Sequence, residues 1–293
     1  MQTRFWKDRI AGYVMAALAV GAMLLVIALG VGLYLKAAPI LHEHSLWELL
    51  SSGEWKPLQG KFGFLPFLAG TAAVTVVAVV LALPLSLLMA IYLSEYAGKR
   101  LRSFSASLLD ILAGLPSVIY GVWGTLLIIP WISDWLAPAL GLTSGGYTLL
   151  AGGIVLGVMI IPLMTSLMAE LFRNVPRPLS EASIALGSTH WQTIKFVVLR
   201  KSMAGIIATI VLAVSRALGE TIAVMMVCGN LPIIPKSLLD ACYPLPALIA
   251  NNYGEMLSVP MYESALMLAA LILFILVLLF NLGARIVLHK VEK

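Results

Sequence analysis

The stretch IAGYVMAALAVGAMLLVIALGVGLYL, residues 10–35, contains no charged residue. A helix rises about 1.5 Å per residue and the hydrocarbon core of a bilayer is about 30 Å thick, so a run of this length can cross a membrane. Arg4, Lys7 and Arg9 precede the run, as cations precede the apolar part of a secretory signal peptide. That apolar part is only about 7–15 residues long in signal peptides, so we expect a retained membrane span here.

The composition of the whole chain belongs to a helical membrane protein. Of its 293 residues, 61% are hydrophobic and 11% are charged, and the mean hydropathy is +0.99, whereas a soluble domain has about 25% charged residues. A membrane β-barrel would alternate apolar and polar residues, and these apolar runs are unbroken. Two cysteines are too few for a disulfide framework, and a single bridge between Cys228 and Cys242 is disfavoured without being excluded. The fold class is therefore all-α and integral to the membrane.

Uncharged runs of similar length recur along the chain and predict six transmembrane helices. Asp110 lies near the start of the third run, and Arg216 and Glu220 lie inside the fifth. We expect one transmembrane domain over residues 1–293, in which the first span, 10–35, precedes a core at about 66–288. The six predicted spans are 10–35, a segment within 62–94 that starts near 66, about 105–132, a segment within 136–169, about 202–228, and 264–284.

Small and cyclic residues predict irregular geometry inside two of these spans. Pro84 in the second span, and Gly114, Pro116 and Gly121 in the third, are expected to kink or thin the helices where they cross. Packing explains these residues better than ligand contact does. Tyr120 fits a pore lining and a packed core equally well.

The lysines and arginines indicate which ends of the spans face the cytoplasm, because cytoplasmic loops are enriched in both. With the N-terminus inside, the inner loops hold 14 of the 19 cations, the outer loops hold four, and Arg216 lies in the membrane. Both termini are therefore expected to be cytoplasmic, with the chain in the bacterial inner membrane. The inner cations are Arg4, Lys7, Arg9, Lys99, Arg100, Arg102, Arg173, Arg177, Lys195, Arg200, Lys201, Arg285, Lys290 and Lys293, and the outer ones are Lys36, Lys56, Lys61 and Lys236.

The fifth predicted span carries two charges in the segment AVSRALGETIAV, residues 213–224. An arginine at the centre of a single span costs about 2.5–3.5 kcal/mol on insertion scales. Arg216 and Glu220 are four residues apart, so on one helix they would be neighbours and could form an ion pair. Two explanations stay open: an internal ion pair that fixes helix packing, and a substrate site on an aqueous cavity.

A substrate site would suit the chemistry of arginine. The guanidinium stays charged and presents planar donors that match tetrahedral oxyanions such as phosphate. Glu220 would either hold Arg216 until the anion arrives or accept the proton of a P–OH group, and we favour the first role because a carboxylate repels a dianion. Gly219 would leave space for close approach, and the Thr221 hydroxyl would either line the path or bond to its own backbone. Because one arginine is a weak site for a dianion, we expect a second one from another subunit.

The segment between the fourth and fifth spans, residues 173–201, is patterned as two short helices. Two prolines in VPRP interrupt the preceding helix. Ser180 is the expected N-cap of the first short helix, Gly187 its left-handed stop, and Ser188 the N-cap of the second. From the pattern alone, an amphipathic hairpin lying on the lipid headgroups is the favoured interpretation.

This loop also resembles the cytoplasmic E-A-A-x-x-x-G loop in the permease subunits of ATP-binding-cassette (ABC) importers. Four residues lie in register with it: Glu181, Ala182, Ser183 and Gly187. Arg200 stands where that family has a proline. In the family the loop forms a coupling helix that docks into the ATPase subunit. The resemblance therefore implies ATPase coupling by residues 181–187 and a MetI-like permease architecture.

Two further segments resemble the phosphate-importer permeases of the PstC type, and the similarity covers roughly residues 65–290. SRALGETIAVMMVCGN at 215–230 is similar to the fifth-span pattern R-A-L-G-E-T-x-A-V-x-M-V-x-G-N, and LLDILAGLPSVIYGVWG at 108–124 is similar to a third span with a G-L-P-S-x-x-Y-G core. PstA permeases have a different tail after R-A-x-G-E-T, so the PstC type fits better. The resemblance implies a PstA-like partner permease in a heterodimer, two copies of a cytoplasmic ATPase, and an exterior phosphate-binding protein.

No motif for hydrolysing ATP occurs in the sequence. It lacks a G-x-x-x-x-G-K-[ST] loop and an H-E-x-x-H pair, so we expect no enzymatic activity and no cofactor, with ATP and Mg²⁺ bound by the partner ATPase. The net charge of +5 follows membrane topology and does not indicate a nucleic-acid partner. Three alternatives stay open: a permease of the same architecture for sulfate, molybdate or phosphonate, an autonomous anion transporter or channel, and a membrane scaffold.

Overall fold

The computed structural model describes residues 2–254 and 259–291. Residues 255–258, which lie between the fifth and sixth predicted spans, are outside the described part, as are Lys293 and the side chains of Arg4, Lys7 and Lys290. The chain is mainly helical, with helices α1 Gln2–Glu43, α2 Leu46–Ser51, α3 Leu65–Tyr96, α4 Lys99–Gly114, α5 Ser117–Ala139, α6 Leu149–Arg173, α7 Arg177–Ala185, α8 His190–Lys201, α9 Met203–Leu218, α10 Ile222–Val227, α11 Leu245–Asn252 and α12 Tyr262–Val291. Between α2 and α3, two short antiparallel strands pair Trp55 with Phe62: β1 Trp55–Lys56 and β2 Lys61–Phe62.

Among the described residues, five helices are long and apolar enough to cross a membrane: α1, α3, α5, α6 and α12. The pair α8 and α9 also passes this test together, although its two helices are bent by 67° at Ser202. The predicted number of six is reached when this bent pair counts as one broken span. The bend forms without the proline that importer permeases have at this place, since the residue there is Arg200.

The third span begins later than predicted. Helix α4 ends at Gly114, Leu115 has an extended conformation with ψ 137°, and α5 starts at Ser117. The residue before a proline avoids helical angles, so Pro116 produces a complete break where we expected a kink. Asp110 therefore lies on α4, a separate helix that packs against α6, and the apolar span runs to Ala139.

The predicted uninterrupted fifth span at 202–228 is also wrong. Helix α9 ends at Leu218, residues 219–221 are not helical, and α10 runs for only six residues. Glycine lowers helix stability by about 1 kcal/mol relative to alanine, which makes Gly219 the natural place for the chain to leave the helix. The break leaves Arg216 on α9 and places Glu220 in the non-helical residues before α10.

Helices α3 and α6 form the centre of the core because small residues let them approach closely. A Cβ atom built on Gly153 of α6 would overlap the Val77 side chain of α3, and one on Gly157 would lie 3.3 Å from the carbonyl oxygen of Ala78. Close packing through small residues is the usual basis of helix association in membranes. Helix α9 packs against both α3 and α6, so this core positions the fifth span.

The first span lies at the edge of the molecule. Its most apolar 18-residue window has no residue buried inside the chain, and α1 packs mainly along α12. Gly30 faces the Phe274 ring, and Lys36 forms an ion pair with Glu263 at 3.1 Å. The predicted span is confirmed, and almost all of its surface is available to lipid.

The loop after α6 has the predicted helix–glycine–helix form with different caps. Helix α7 begins at Arg177 with Pro176 in the cap position, so Ser180 lies inside the helix and is not its N-cap. Gly187 has the expected left-handed φ of 87°. The second helix is capped by Thr189, which exchanges two hydrogen bonds with Gln192, and not by Ser188.

Candidate functional site

Arg216 lies in the last turn of α9, two residues before the helix ends. Its side chain is partly exposed, and no hydrogen bond in the described part of the chain uses its guanidinium. The free carbonyl groups at a helix C-terminus carry partial negative charge and stabilise a nearby cation by about 0.3–1 kcal/mol. The guanidinium thus gains some compensation from α9 while its donors stay available.

Glu220 belongs to the break between the two helices and caps the second one. One oxygen of its carboxylate accepts a hydrogen bond from the backbone N–H of Ala223 at 3.2 Å. Ala223 is the second residue of α10, and the first N–H groups of a helix have no partner inside it. A negative charge is favourable at this end because it complements the helix dipole.

The predicted ion pair between Arg216 and Glu220 is not formed. Two ion pairs occur in residues 2–254 and 259–291, and neither includes these side chains. Because α9 ends at Leu218, positions 216 and 220 no longer share a helical face. Each charge instead lies at the helix end whose partial charge opposes it, which explains how both are accommodated within an apolar segment.

The two small residues of the break behave differently from each other. The Thr221 hydroxyl donates to the carbonyl oxygen of Gly219 at 3.2 Å, so the backbone alternative is the one formed. A Cβ atom on Gly219 would lie 3.8 Å from its nearest neighbours, which is ordinary contact. No side chain lies within 4 Å of that Cβ position, so the space that the prediction assigns to a helix or to the anion is open, and the approach itself stays a prediction.

A close approach occurs instead at Gly121 of α5, where α10 packs against the third span. A Cβ atom on Gly121 would lie 2.5 Å from the Met226 sulfur and 3.3 Å from the Ala223 Cα. The neighbouring Tyr120 is 6% exposed and its hydroxyl donates to the Leu112 carbonyl at 2.7 Å, across the α4–α5 break. Helix α10 packs against α5, so the break before α10 and the break before α5 lie near each other in the fold.

A cavity of about 630 Å³ opens at the other end of α10. Asn230 lines it with a left-handed φ of 52°, and its amide nitrogen donates to the Met225 carbonyl at 2.8 Å. The amide oxygen of Asn230 is buried and has no partner among the described residues. Sequence reasoning missed this cavity because its other polar side chains come from two separate loops: Thr143, Ser144 and Tyr147 from one, and Asp240 from the other.

The two cysteines lie side by side and are both free. Cys228 and Cys242 are 0% exposed, and neither forms a disulfide. The backbone N–H of Cys242 donates to the Cys228 carbonyl at 2.9 Å. The loop between α10 and α11, which is predicted to lie outside, is therefore attached to the end of α10 by a main-chain hydrogen bond and not by a disulfide.

The predicted coupling residues lie on and just after α7. Glu181, Ala182 and Gly187 are exposed, and the Ser183 hydroxyl is 3.0 Å from the Thr193 hydroxyl of α8. Two apolar side chains of the same short segment also face outward, since Ile184 is 50% exposed and Leu186 is 88% exposed. An exposed apolar pair on a small helix beyond the spans is a feature of protein interaction surfaces.

The capping contact of Glu220 leads to a testable expectation. Gln can still accept the Ala223 N–H bond through its amide oxygen, so Glu220→Gln should keep the thermal stability close to that of the wild type. Glu220→Ala leaves the amide unpaired and should lower the free energy of unfolding by about 1 kcal/mol, as for other lost caps. Thermal unfolding of the detergent-solubilised protein measures both, and equal losses in the two variants would contradict the capping role.

Comparison with known proteins finds a matching family model and similar individual proteins. A family model described as "Binding-protein-dependent transport system inner membrane component" matches residues 82–293. The chain is 36% identical over 256 residues to phosphate transport system permease protein PstC of Xylella fastidiosa strain Temecula1, covering 83% of this chain and 78% of the relative. It is 35% identical over 240 residues to the probable ABC transporter permease protein YqgH of Bacillus subtilis, covering 81% and 76%.

A structural comparison agrees with these relatives. The fold is similar to that of a chain of the MetNI methionine ABC transporter in an inward-facing conformation, with a TM-score of 0.55 and 20% sequence identity. The similarity covers 80% of this chain and 97% of that chain. At this level of identity the likeness concerns the fold alone.

Proposed function

We propose a function from one premise: the chain belongs to the family of binding-protein-dependent transport system inner membrane components. It is accordingly a permease subunit of an ABC importer in the inner membrane, and the predicted resemblance to the PstC type is confirmed by its relatives. The proposal adds the substrate and the residues that handle it. The substrate is inorganic phosphate, and its path through this subunit passes Arg216, Glu220 and Thr221.

One observation carries the proposal: the guanidinium of Arg216 is partly exposed, unpaired, and located at a break in a membrane-spanning segment. A structural arginine in the membrane would be expected to pair with a carboxylate or be enclosed by packing, because an uncompensated charge is costly there. Relatives named as phosphate permeases supply the identity of the anion. The fork of donors on Arg216 suits the tetrahedral oxygens of phosphate.

The break allows an anion to approach Arg216 without first breaking an ion pair. The Glu220 carboxylate is held by the amide of α10, so it does not compete directly for the guanidinium. A dianion near this carboxylate would be repelled, and a P–OH group facing it would remove that repulsion. The site would therefore bind phosphate weakly enough to release it, as a transporter must, with a second arginine expected from the partner permease.

Energy would enter through the cytoplasmic loop. We assign residues 181–187 to docking with the ATPase, because α7 presents exposed Glu181, Ile184 and Leu186 beyond the ends of the spans. The assembly would contain a PstA-like permease, two copies of the ATPase that bind ATP and Mg²⁺, and an exterior phosphate-binding protein. Closure of the ATPases would open the path outward and expose Arg216 to the delivered anion.

Reconstitution tests the substrate and the energy source together. The complete transporter in liposomes, supplied with its binding protein, is expected to take up labelled phosphate only when ATP is present. Excess sulfate, molybdate or phosphonate should leave the initial rate nearly unchanged. Inhibition by one of these anions would favour the rival permease, and phosphate flux without the ATPase would favour an autonomous transporter or channel.

A further inference from the structure

Two adjoining cavities lie where α3 and α6 end on the face predicted to be cytoplasmic. The first, of about 430 Å³, is lined by Arg102, Arg173 and Arg177 together with Ser180, Glu95 and Glu181. The second, of about 330 Å³, shares Arg102 and Arg173 and is lined in addition by Asp110 and Glu170. The arginines come from α4, α6 and α7, so the fold brings together cations that are far apart in sequence.

The three arginines are held to different degrees. Arg102 is fixed, since its guanidinium donates to the carbonyl oxygens of Leu93, Ser94 and Ala97 at 2.9, 2.7 and 3.3 Å. Arg173 uses only Nε, which donates to the Ala169 carbonyl at 3.2 Å. The Arg177 side chain makes no hydrogen bond within the described residues. The terminal nitrogens of Arg173 and Arg177 are therefore available to a ligand.

The carboxylates of the first cavity do not neutralise these cations. Among the described residues, neither Glu95 nor Glu181 forms an ion pair with a guanidinium. Three arginines and two glutamates leave this cavity with one uncompensated positive charge. Asp110 and Glu170 line only the second cavity, and Arg177 lines only the first.

We propose that this first cavity binds a phosphate-bearing anion through Arg173 and Arg177, with the Ser180 hydroxyl as a further donor. Its wall also contains Phe172, Val175 and Ile184, so apolar surface lies beside the arginines that would bind the anionic group. Basic pockets between transmembrane helices on the cytoplasmic side are typical sites for anionic lipid headgroups. Free inorganic phosphate carries the same negatively charged oxygens as a lipid headgroup and is the second candidate ligand.

The site has a structural consequence that does not depend on which substrate is transported. Arg177, Ser180 and Glu181 belong to α7, whereas Arg173 is the last residue of α6. An anion bound between Arg173 and Arg177 joins the short helix to the end of a core span. It therefore stabilises α7 in its observed position, which is the position the ATPase would meet.

The test uses the complete transporter with Arg216→Ala in every sample, so that the proposed path site contributes no anion binding. In nanodiscs of phosphatidylcholine with added phosphatidylglycerol, co-purifying phosphatidylglycerol is counted by native mass spectrometry. In a second arm, discs of phosphatidylcholine alone are equilibrated with labelled inorganic phosphate. The variant pair is Arg173→Gln with Arg177→Gln, and the matched control is Lys99→Gln with Arg100→Gln, two exposed cations on the same face that do not line the cavity.

We expect anion affinity to fall about fivefold per arginine removed and about 25-fold for the pair, and the control to bind like the parent. A loss in the lipid arm identifies a headgroup, and a loss in the phosphate arm identifies free phosphate. Failure of the parent to bind either anion, or equal binding by the Arg173/Arg177 variant, overturns the proposal. If that double variant does not assemble, Arg177→Gln and Arg177→Lys decide the question: Gln should weaken binding fivefold and Lys should preserve it.

Discussion

Arg216→Ala is expected to lower the initial rate of phosphate uptake by about 30-fold or more. Removing one partner of a desolvated charge interaction costs about 2–5 kcal/mol, and each 1.4 kcal/mol corresponds to a factor of ten. The fold should survive, because the guanidinium makes no hydrogen bond or ion pair in the described part of the chain and contributes to α9 mainly through its helix end. Uptake of labelled phosphate by proteoliposomes containing the complete transporter measures the effect.

Two further variants test whether uptake needs the planar guanidinium at position 216, and whether the loss of another exposed arginine has the same effect. Arg216→Lys keeps the charge but loses the planar fork, so its rate should lie between those of the wild type and the alanine variant. Arg100→Ala removes an exposed arginine at the cytoplasmic end of α4 and should leave uptake unchanged. An Arg216→Ala transporter that assembles and imports phosphate at the wild-type rate would falsify the proposed path.

Gly153→Leu is expected to prevent the chain from folding to a stable state. A Cβ atom on Gly153 already overlaps the Val77 side chain, so a leucine would force α3 and α6 apart. Overpacking of a core costs about 1–3 kcal/mol and more where the backbone must move. Helices α4, α5, α9 and α10 all pack against α6, and α9 packs against α3 as well. We expect little full-length protein in membranes, and an early, broad thermal transition by fluorescence-detected size exclusion of what remains.

A glycine on the lipid-facing helix provides the matched control. Gly12 of α1 has no atom within 4 Å of an added Cβ, so Gly12→Leu makes the same chemical change where space is open. This variant should be produced at the wild-type level with an unchanged transition. Similar loss of protein from both variants would mean that leucine itself, and not the α3–α6 contact, causes the defect.

The amino-acid pattern was sufficient for the features that depend on local composition. Uncharged runs predicted the spans, because the hydrocarbon core demands about 20 apolar residues whatever the tertiary structure. The left-handed Gly187 was likewise predictable, since the turn signal and the helix signals around it lie within a few residues of each other. The loop at residues 181–187 resembles a known coupling motif, and its docking to the ATPase stays a prediction.

The breaks in the spans could not be read from the same pattern. A spacing of four between Arg216 and Glu220 looks like a helical ion pair, and only Gly219 hints that the helix ends between them. Pro116 was visible, but its neighbours decide whether a proline bends a helix or ends it. Capping by Glu220 depends on where α10 begins, which is a tertiary property.

The arginine cavity shows the same limit at longer range. Arg102 and Arg173 are 71 positions apart in the numbering, and each looks like an ordinary cation of the positive-inside rule. Only the packing of α4 against α6 places them on one cavity wall. No local spacing in the sequence contains this information.

The attachment of the outer loop to α10 has a mechanical consequence. Cys242 holds the Cys228 carbonyl by a backbone hydrogen bond, and the carbonyls of Leu238 and Asp240 accept the N–H groups of Leu150 and Leu149 at the start of α6. The loop is thus hydrogen-bonded both to the core helix α6 and to the end of α10, the six-residue helix that Glu220 caps. A protein pressing on this loop from outside would transmit its force along α10 to the break beside Arg216.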